Sequence, residues 1–96
     1  MRRCRLTPKA QADIDSIWNY TVERWNSDQA EKYLRQIADA MALIGDDPLR
    51  GRACDHIRAG YRRYAVGAHV LFYRTRKDGV EIIRILHRRM DFERHL

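Results

Sequence analysis

Tyr61-Arg62-Arg63-Tyr64-Ala65-Val66, Gly67-Ala68, His69-Val70-Leu71-Phe72-Tyr73-Arg74-Thr75, Arg76-Lys77-Asp78-Gly79 and Val80-Glu81-Ile82-Ile83-Arg84-Ile85-Leu86-His87-Arg88-Arg89-Met90-Asp91 follow one another without a break. Three runs rich in β-branched and aromatic residues, separated by Gly-containing turns, predict a three-stranded meander, because such side chains suit a pleated, half-buried surface and Gly permits tight reversals. Asp78-Gly79 is a hairpin signal, since both central positions of a type I′ turn need positive φ. With these two residues as the loop, Arg76 faces Glu81 and Tyr73 faces Arg84. One face then gathers His69, Leu71, Tyr73, Ile82, Arg84 and Leu86. The other gathers Val70, Phe72, Ile83, Ile85 and His87, with Arg74 nearer its rim. The second set is the more apolar at its centre and is expected to meet helices. The first is expected to stay open as a partner groove, an exposed apolar patch, unless Met90 to Leu96 fold over it.

Working upstream, Leu49 to Gly60 shows neither helical nor strand periodicity and reads as an irregular connection with at most one helical turn. Before it, Ala30, Tyr33, Leu34, Ile37, Met41 and Ile44 give the buried stripe of a second helix, stopped by Gly45 and Asp46-Asp47-Pro48. Asn26-Ser27-Asp28 breaks the preceding pattern, with Ser27 as the expected cap. The first helix starts at Thr7-Pro8, a good N-cap followed by a residue suited to the first helical position. Its inner face carries Ala10, Ile14, Ile17, Trp18, Thr21 and Trp25, and its outer face Lys9, Asp13, Asp15, Asn19 and Glu23. Trp18, Trp25 and Tyr33 are expected in the core. Arg3 to Leu6 form a short first strand, and the two helices form an antiparallel hairpin.

The 96 residues, 45% of them hydrophobic, suffice for one domain over residues 1–96. No run reaches the roughly 18 apolar residues of a membrane span, and the N-terminus lacks the apolar centre of a secretory signal, so a cytoplasmic location is expected. Cys4 and Cys54 are far apart and expected to be small, buried or semi-buried hydrophobes. Residues 1–49 hold seven Lys/Arg and eight Asp/Glu, about −1, while residues 50–96 hold twelve and five, about +7. Sixteen of the nineteen cations are arginines, which favour bidentate contacts to carboxylate or phosphate. A basic sheet half attracts a polyanion or an acidic protein segment.

Cleavage of RNA by its own 2′-hydroxyl needs a base, an acid and cations for the phosphate. Arginine cannot be the base. Histidine is the side-chain type whose ordinary titration falls near neutrality, and of His56, His69, His87 and His95 only His69 and His87 fall in the predicted sheet. If the chain is a nuclease, His87, Arg84 and Arg62 are its candidate catalytic residues. No phosphate loop, His-Glu-x-x-His motif or four-ligand zinc set occurs, so no cofactor and no metal are expected. A protein acting by binding is the better reading.

Leu6-Thr7-Pro8, Ile17-Trp18-Asn19-Tyr20, Trp25, Tyr33-Leu34, Asp47-Pro48, Gly51-Arg52, Ile57-Arg58 and Gly60-Tyr61-Arg62-Arg63 resemble the ParE branch of the RelE/ParE toxin superfamily. So do His69-Val70-Leu71-Phe72-Tyr73-Arg74 and Ile85-Leu86-His87-Arg88-Arg89-Met90-Asp91, the more specific runs. The resemblance covers nearly the whole chain. It implies an α+β, β-α-α-β-β-β fold with a helical hairpin on an antiparallel sheet. It also implies the toxic half of a bacterial type II toxin-antitoxin pair, a ParD-like antitoxin with an acidic C-terminal arm, and DNA gyrase as target rather than an enzymatic activity. No membrane or small-molecule ligand is expected, and direct nucleic-acid contact stays open. The alternative is a RelE-like ribosome-dependent mRNA endonuclease, disfavoured by the lack of a lysine cluster. Candidate antitoxin contacts are Leu71, Tyr73, Arg84, Leu86, Arg62, Arg88, Trp18 and Tyr33, and candidate target contacts Arg88, Arg89, Met90 and Asp91.

Overall fold

A computed structural model describes residues 3–96. Met1 and Arg2, the start of the stretch read as lacking a signal, lie outside the described residues. The order is β1 (Arg3–Leu6), α1 (Pro8–Arg24), α2 (Ser27–Asp46), a 3-10 turn (Pro48–Arg50), β2 (Arg52–Ala53), β3 (Tyr61–Val66), β4 (His69–Arg76), β5 (Gly79–His87) and α3 (Phe92–His95). The α+β class and the β-α-α-β-β-β core of this order follow the sequence reading. Strand order in the five-stranded sheet is β1-β5-β4-β3-β2. All neighbours are antiparallel except β1, which joins β5 in parallel with Arg3 opposite Gly79 and Leu6 opposite Ile82.

Local chemistry sets the helix ends. Thr7 caps α1, its side chain accepting the Ala10 N–H at 3.1 Å, with Pro8 in the first turn. Asn26, rather than Ser27, caps α2, its Oδ1 accepting the Gln29 N–H at 2.8 Å. Gly45 does not stop α2. It is buried one residue before the helix ends, and a Cβ there would meet Cys4 Cβ at 3.7 Å, an ordinary contact that a small side chain could make. Cys4 is exposed and Cys54 buried. Partial desolvation beneath an otherwise exposed surface raises the pKa of the Cys4 thiol, and burial raises that of Cys54 against the opposing pull of Arg63.

One core lies between the helices and the sheet. Ala10 and Ile17 of α1 and Ile37, Ala40 and Ile44 of α2 pack on Leu71, Tyr73, Val80, Ile82 and Ile85. On the opposite side Val70, Phe72, Leu86 and Cys54 are buried beneath Ile57, Tyr61, Phe92 and Leu96. For β4 and the start of β5 the faces are therefore the reverse of the expectation, whereas Ile85 meets the helices as expected and Leu86 lies on the other side, where the 92–96 segment covers it. Leu71 and Tyr73 are fully buried under the helices and Leu86 beneath α3, so none is a free anchor for a partner.

The cause is a β-bulge. Phe72 pairs with Arg84 but Tyr73 with Ile82, leaving Ile83 as an extra residue. It inverts the alternation of β5, so that Ile82 and Ile85 share the helix side while Leu86 turns to the outer side. The hairpin loop also differs: Arg76 pairs with Gly79, so Lys77-Asp78 is the loop and Glu81 lies opposite Arg74, bonded to its Nε at 2.8 Å.

Side chains of α1 complete the bulged edge. β1 ends opposite Ile82, and beyond it Thr7 Oγ1 donates to Ile83 O at 2.7 Å while Asp13 accepts the Ile85 N–H at 2.9 Å. Asp13 also takes both Arg84 Nε and Nη2 at 2.8 Å. Asp13 therefore belongs to the inner side of α1, not the solvent side where the sequence pattern placed it.

Candidate functional site

Trp18, Tyr20 and Trp25 escape the core, with exposures of 38%, 63% and 66%. The inner stripe of α1 is narrow, Ala10, Asp13, Ile17 and Thr21, because the helix lies over the edge of β5 and only one side of it meets the sheet. Tyr20 and Trp25 instead overhang the ends of β4 and β5. Beneath them runs a groove made of two adjoining hollows of about 450 Å³ and about 370 Å³. Tyr20, His69 and His87 line both hollows, Trp25, Arg24 and Tyr33 one end, and Asp13, Ile85 and Met90 the other.

His69 and His87 are direct cross-strand partners, with ring centroids 5.4 Å apart and near-perpendicular planes. Tyr33 Oη lies 2.6 Å from His69 Nδ1, receives the Ala68 N–H at 3.2 Å, and is 3.2 Å from Val66 O. With Val66 O as the alternative acceptor for the hydroxyl proton, either neutral tautomer of His69 satisfies this contact. Burial, then the neighbouring His87, depress the His69 pKa to about 4. The unfolded chain therefore binds a proton near pH 6.5 that the folded chain refuses, and stability falls as pH drops from about 6.5 toward 4. Because His69 is partly exposed, the loss is about 1–2 kcal/mol. Urea titrations at pH 7.5 and 4.5 are expected to show this difference in the parent chain, and His69→Gln is expected to remove that part of the slope.

The three candidate nuclease residues do not converge. Arg62 lies opposite Tyr73 and donates to Gly51 O at 2.7 Å. His87 lies opposite His69, four residues from Tyr73 along β4, or about 13 Å. Arg84 is committed to Asp13, which raises its pKa, and its Nη1 also donates to His95 O at 3.2 Å. Arg62 and Arg84 thus hold the fold together. Arg88, Arg89, Met90 and Asp91 are exposed at the end of β5, and Asp91 starts α3 without a side-chain cap bond.

A family model described as "ParE toxin of type II toxin-antitoxin system, parDE" matches residues 4–92. Chains described as "Toxin ParE1" from Mycobacterium tuberculosis (strain CDC 1551 / Oshkosh) and Caulobacter vibrioides are 47% and 44% identical. The first match covers 98% of this chain and 97% of the relative, the second 100% and 99%. The chain belongs to the ParE toxin family. A solved structure described as "Chromosomal ParDE TA system from P. aeruginosa" shares the fold at TM-score 0.78 and 21% identity, covering 91% of this chain and 96% of the other. The ParE membership foreseen from the His69–Arg74 and Ile85–Asp91 runs is thereby shown.

Of the residues singled out in the sequence, the ParE fold brings His69, His87, Tyr33 and Met90 to one groove. It leaves Trp18 on the exposed flank of α1 and withdraws Leu71, Tyr73 and Leu86. Tyr20 and Asp13 were missed. Asp13 could have been found: it stands three residues after Ala10 and four before Ile17, on the inner stripe, where a carboxylate requires a cation.

Proposed function

We propose that this ParE toxin is held inactive by a ParD-like antitoxin and, once released, arrests DNA gyrase in the cytoplasm. The observation that carries the antitoxin part is the aromatic groove along α1. Tyr20 and Trp25 stand exposed over a preformed hollow beside Arg24 and the two histidines, and aromatic anchors at the centre of such a groove dominate binding energy. The anchors are Tyr20, Trp25 and Met90 with Tyr33 at the base, and Arg24 steers the acidic arm. The arm's apolar residues set affinity and its charges the encounter rate. For the target, the exposed run Arg88-Arg89-Met90-Asp91 is the contact.

The chain acts by binding rather than by catalysis, which the separation of Arg62, Arg84 and His87 supports. Expression alone is expected to stop growth, induce a DNA-damage response and trap a cleaved DNA-gyrase complex in a purified supercoiling assay. Ribosome-stimulated RNA cleavage abolished by His87→Ala, with supercoiling untouched, would instead establish the RelE-like reading. Tyr20→Ala with Trp25→Ala is expected to weaken antitoxin binding about 100-fold, from roughly 1–2 kcal/mol per anchor, while Tm stays within a few degrees. Unchanged affinity in calorimetric titration would remove the groove from the interface.

A further inference from the structure

β2 and β3 set two arginines opposite each other. Arg52 pairs directly with Arg63 across the antiparallel ladder, a register in which like charges oppose strand pairing. A third cation joins them: Arg52, Arg63 and Arg88, with Ala65, Val70 and Phe92, line a hollow of about 470 Å³ on the outer side of the sheet. Among the described residues no carboxylate forms an ion pair with any of the three arginines.

Elsewhere in the sheet most cations have an acceptor, with Arg62 donating to Gly51 O, while Arg5 on β1 makes no ion pair among the described residues. Arg84 is held by Asp13, Arg74 and Arg76 share Glu81, and Arg3 meets Asp78. Asp55, the carboxylate nearest in sequence to Arg52, is turned to the Gly60 N–H at 2.8 Å. Three cations left unmatched in one hollow are a local arrangement that costs the fold stability and that an outside anion would relieve.

We infer that the outer side of the sheet binds the phosphodiester backbone of a nucleic-acid strand, with Arg52, Arg63 and Arg88 on its phosphate oxygens. All three cations are arginines, whose planar fork fits a phosphate in two hydrogen bonds. A nucleic-acid backbone carries an obligate charge at every nucleotide, and binding gains further from release of its condensed counterions. An acidic peptide must supply three mobile carboxylates to match it. The apolar part of the hollow, Val70 with the Phe92 ring held on Phe72 at 4.8 Å between centroids, suits the flat side of a base. The site lies across the sheet from the aromatic groove, so a toxin docked through Tyr20 and Trp25 still presents it. The inference goes beyond the gyrase reading and stands or falls without it, since binding is measured on the purified chain alone.

Fluorescence anisotropy with a labelled single-stranded DNA, the same sequence as duplex, and the same sequence as RNA, each over a range of salt, tests it. Binding is expected to at least one strand, falling steeply with salt. Arg52→Gln with Arg63→Gln is expected to weaken it at least about 10-fold and to reduce the logarithmic salt slope by about 2. Arg88→Gln, outside the strands, is expected to reduce the slope by about 1. Arg76→Gln removes the same charge at a distant hairpin and is expected to change affinity less than about 2-fold. Because a like-charge pair is removed, Tm of the Arg52/Arg63 variant is expected to hold or rise. The inference is overturned if no strand binds, if Arg76→Gln weakens binding as much as the double variant, or if both glutamine variants bind like the parent. Inorganic phosphate displacing the oligonucleotide at equal concentration would make this a free-anion site, and poly-glutamate doing so an acidic-protein surface; either result overturns it.

Discussion

Asp13→Ala is expected to lower the stability of this ParE toxin by about 3 kcal/mol, a large fraction of the roughly 5–15 kcal/mol that keeps a small domain folded. One carboxylate serves three donors: Arg84 Nε, Arg84 Nη2 and the Ile85 N–H. The Asp13 and Arg84 side chains are only 14% and 18% exposed. Removing Asp13 leaves a desolvated guanidinium without its counterion and a strand-edge N–H without an acceptor, and both costs are those of unsatisfied groups rather than of a lost pair. For a chain of this length the Tm is expected to fall by about 12–20 °C. Arg84→Met in the same background is expected to recover about 1–2 kcal/mol, since it removes the stranded charge. Equal stability of Asp13→Ala and parent in thermal denaturation would mean that water replaces the carboxylate and that α1 does not depend on this tie to β5.

The helices were legible because capping chemistry and a 3.6-residue period agree. Thr7 and Pro8 fix the start of α1 and the Ala30 to Ile44 stripe fixes the inner side of α2, whatever surrounds them. The three meander strands were legible because runs of β-branched and aromatic residues are separated by Gly-containing turns. Face assignment failed where a single extra residue decided it. Alternation along Val80 to His87 breaks at the apolar pairs Ile82-Ile83 and Ile85-Leu86, but the sequence does not say whether such a pair is a bulge or two residues buried on opposite sides of a regular ladder. The bulge exists because β1 ends opposite Ile82 and α1 turns across the edge there. Thr7 and Asp13 then accommodate the freed backbone groups, a set of contacts spanning about seventy residues that no local pattern carries.

The site was half legible for a related reason. Family runs marked His69, His87 and Met90, which share the groove, but Trp18 and Trp25 follow helical core spacing and still face outward. Spacing reports which side chains share a helix face, and only the width of the surface underneath decides how many of them are covered. α1 is covered only where it meets α2, β5 and β1, so aromatics that follow its apolar spacing beyond those contacts stay available to a partner. The arginines divide by the same logic. Their number was plain, whereas Arg62 and Arg84 are tied to Gly51 and Asp13 and Arg52, Arg63 and Arg88 are not.

Gly51→Ala is expected to destabilise the chain by about 3–4 kcal/mol although its backbone, φ −72° and ψ 157°, suits any residue. An added Cβ would stand 2.2 Å from Tyr73 Oη and 2.7 Å from two atoms of its ring. Tyr73 is fully buried and cannot step aside. Its hydroxyl accepts the Gly51 N–H at 2.8 Å and donates to Pro48 O at 2.7 Å, so relieving the clash breaks both bonds. Tyr73→Phe alone is expected to cost about 1–3 kcal/mol, from the two partners left unsatisfied. In the double variant the nearest clashing atom and both hydrogen bonds are already gone. The two effects should therefore fall short of additivity by at least about 1 kcal/mol, measured by urea unfolding of the four proteins. Strict additivity would show that the 47–53 connection moves as a whole and that Tyr73 does not anchor it. If the anchor holds, Gly51→Ala also displaces Arg52, the next residue and one arm of the opposed arginine pair, and loosens the outer side of the sheet along with the fold.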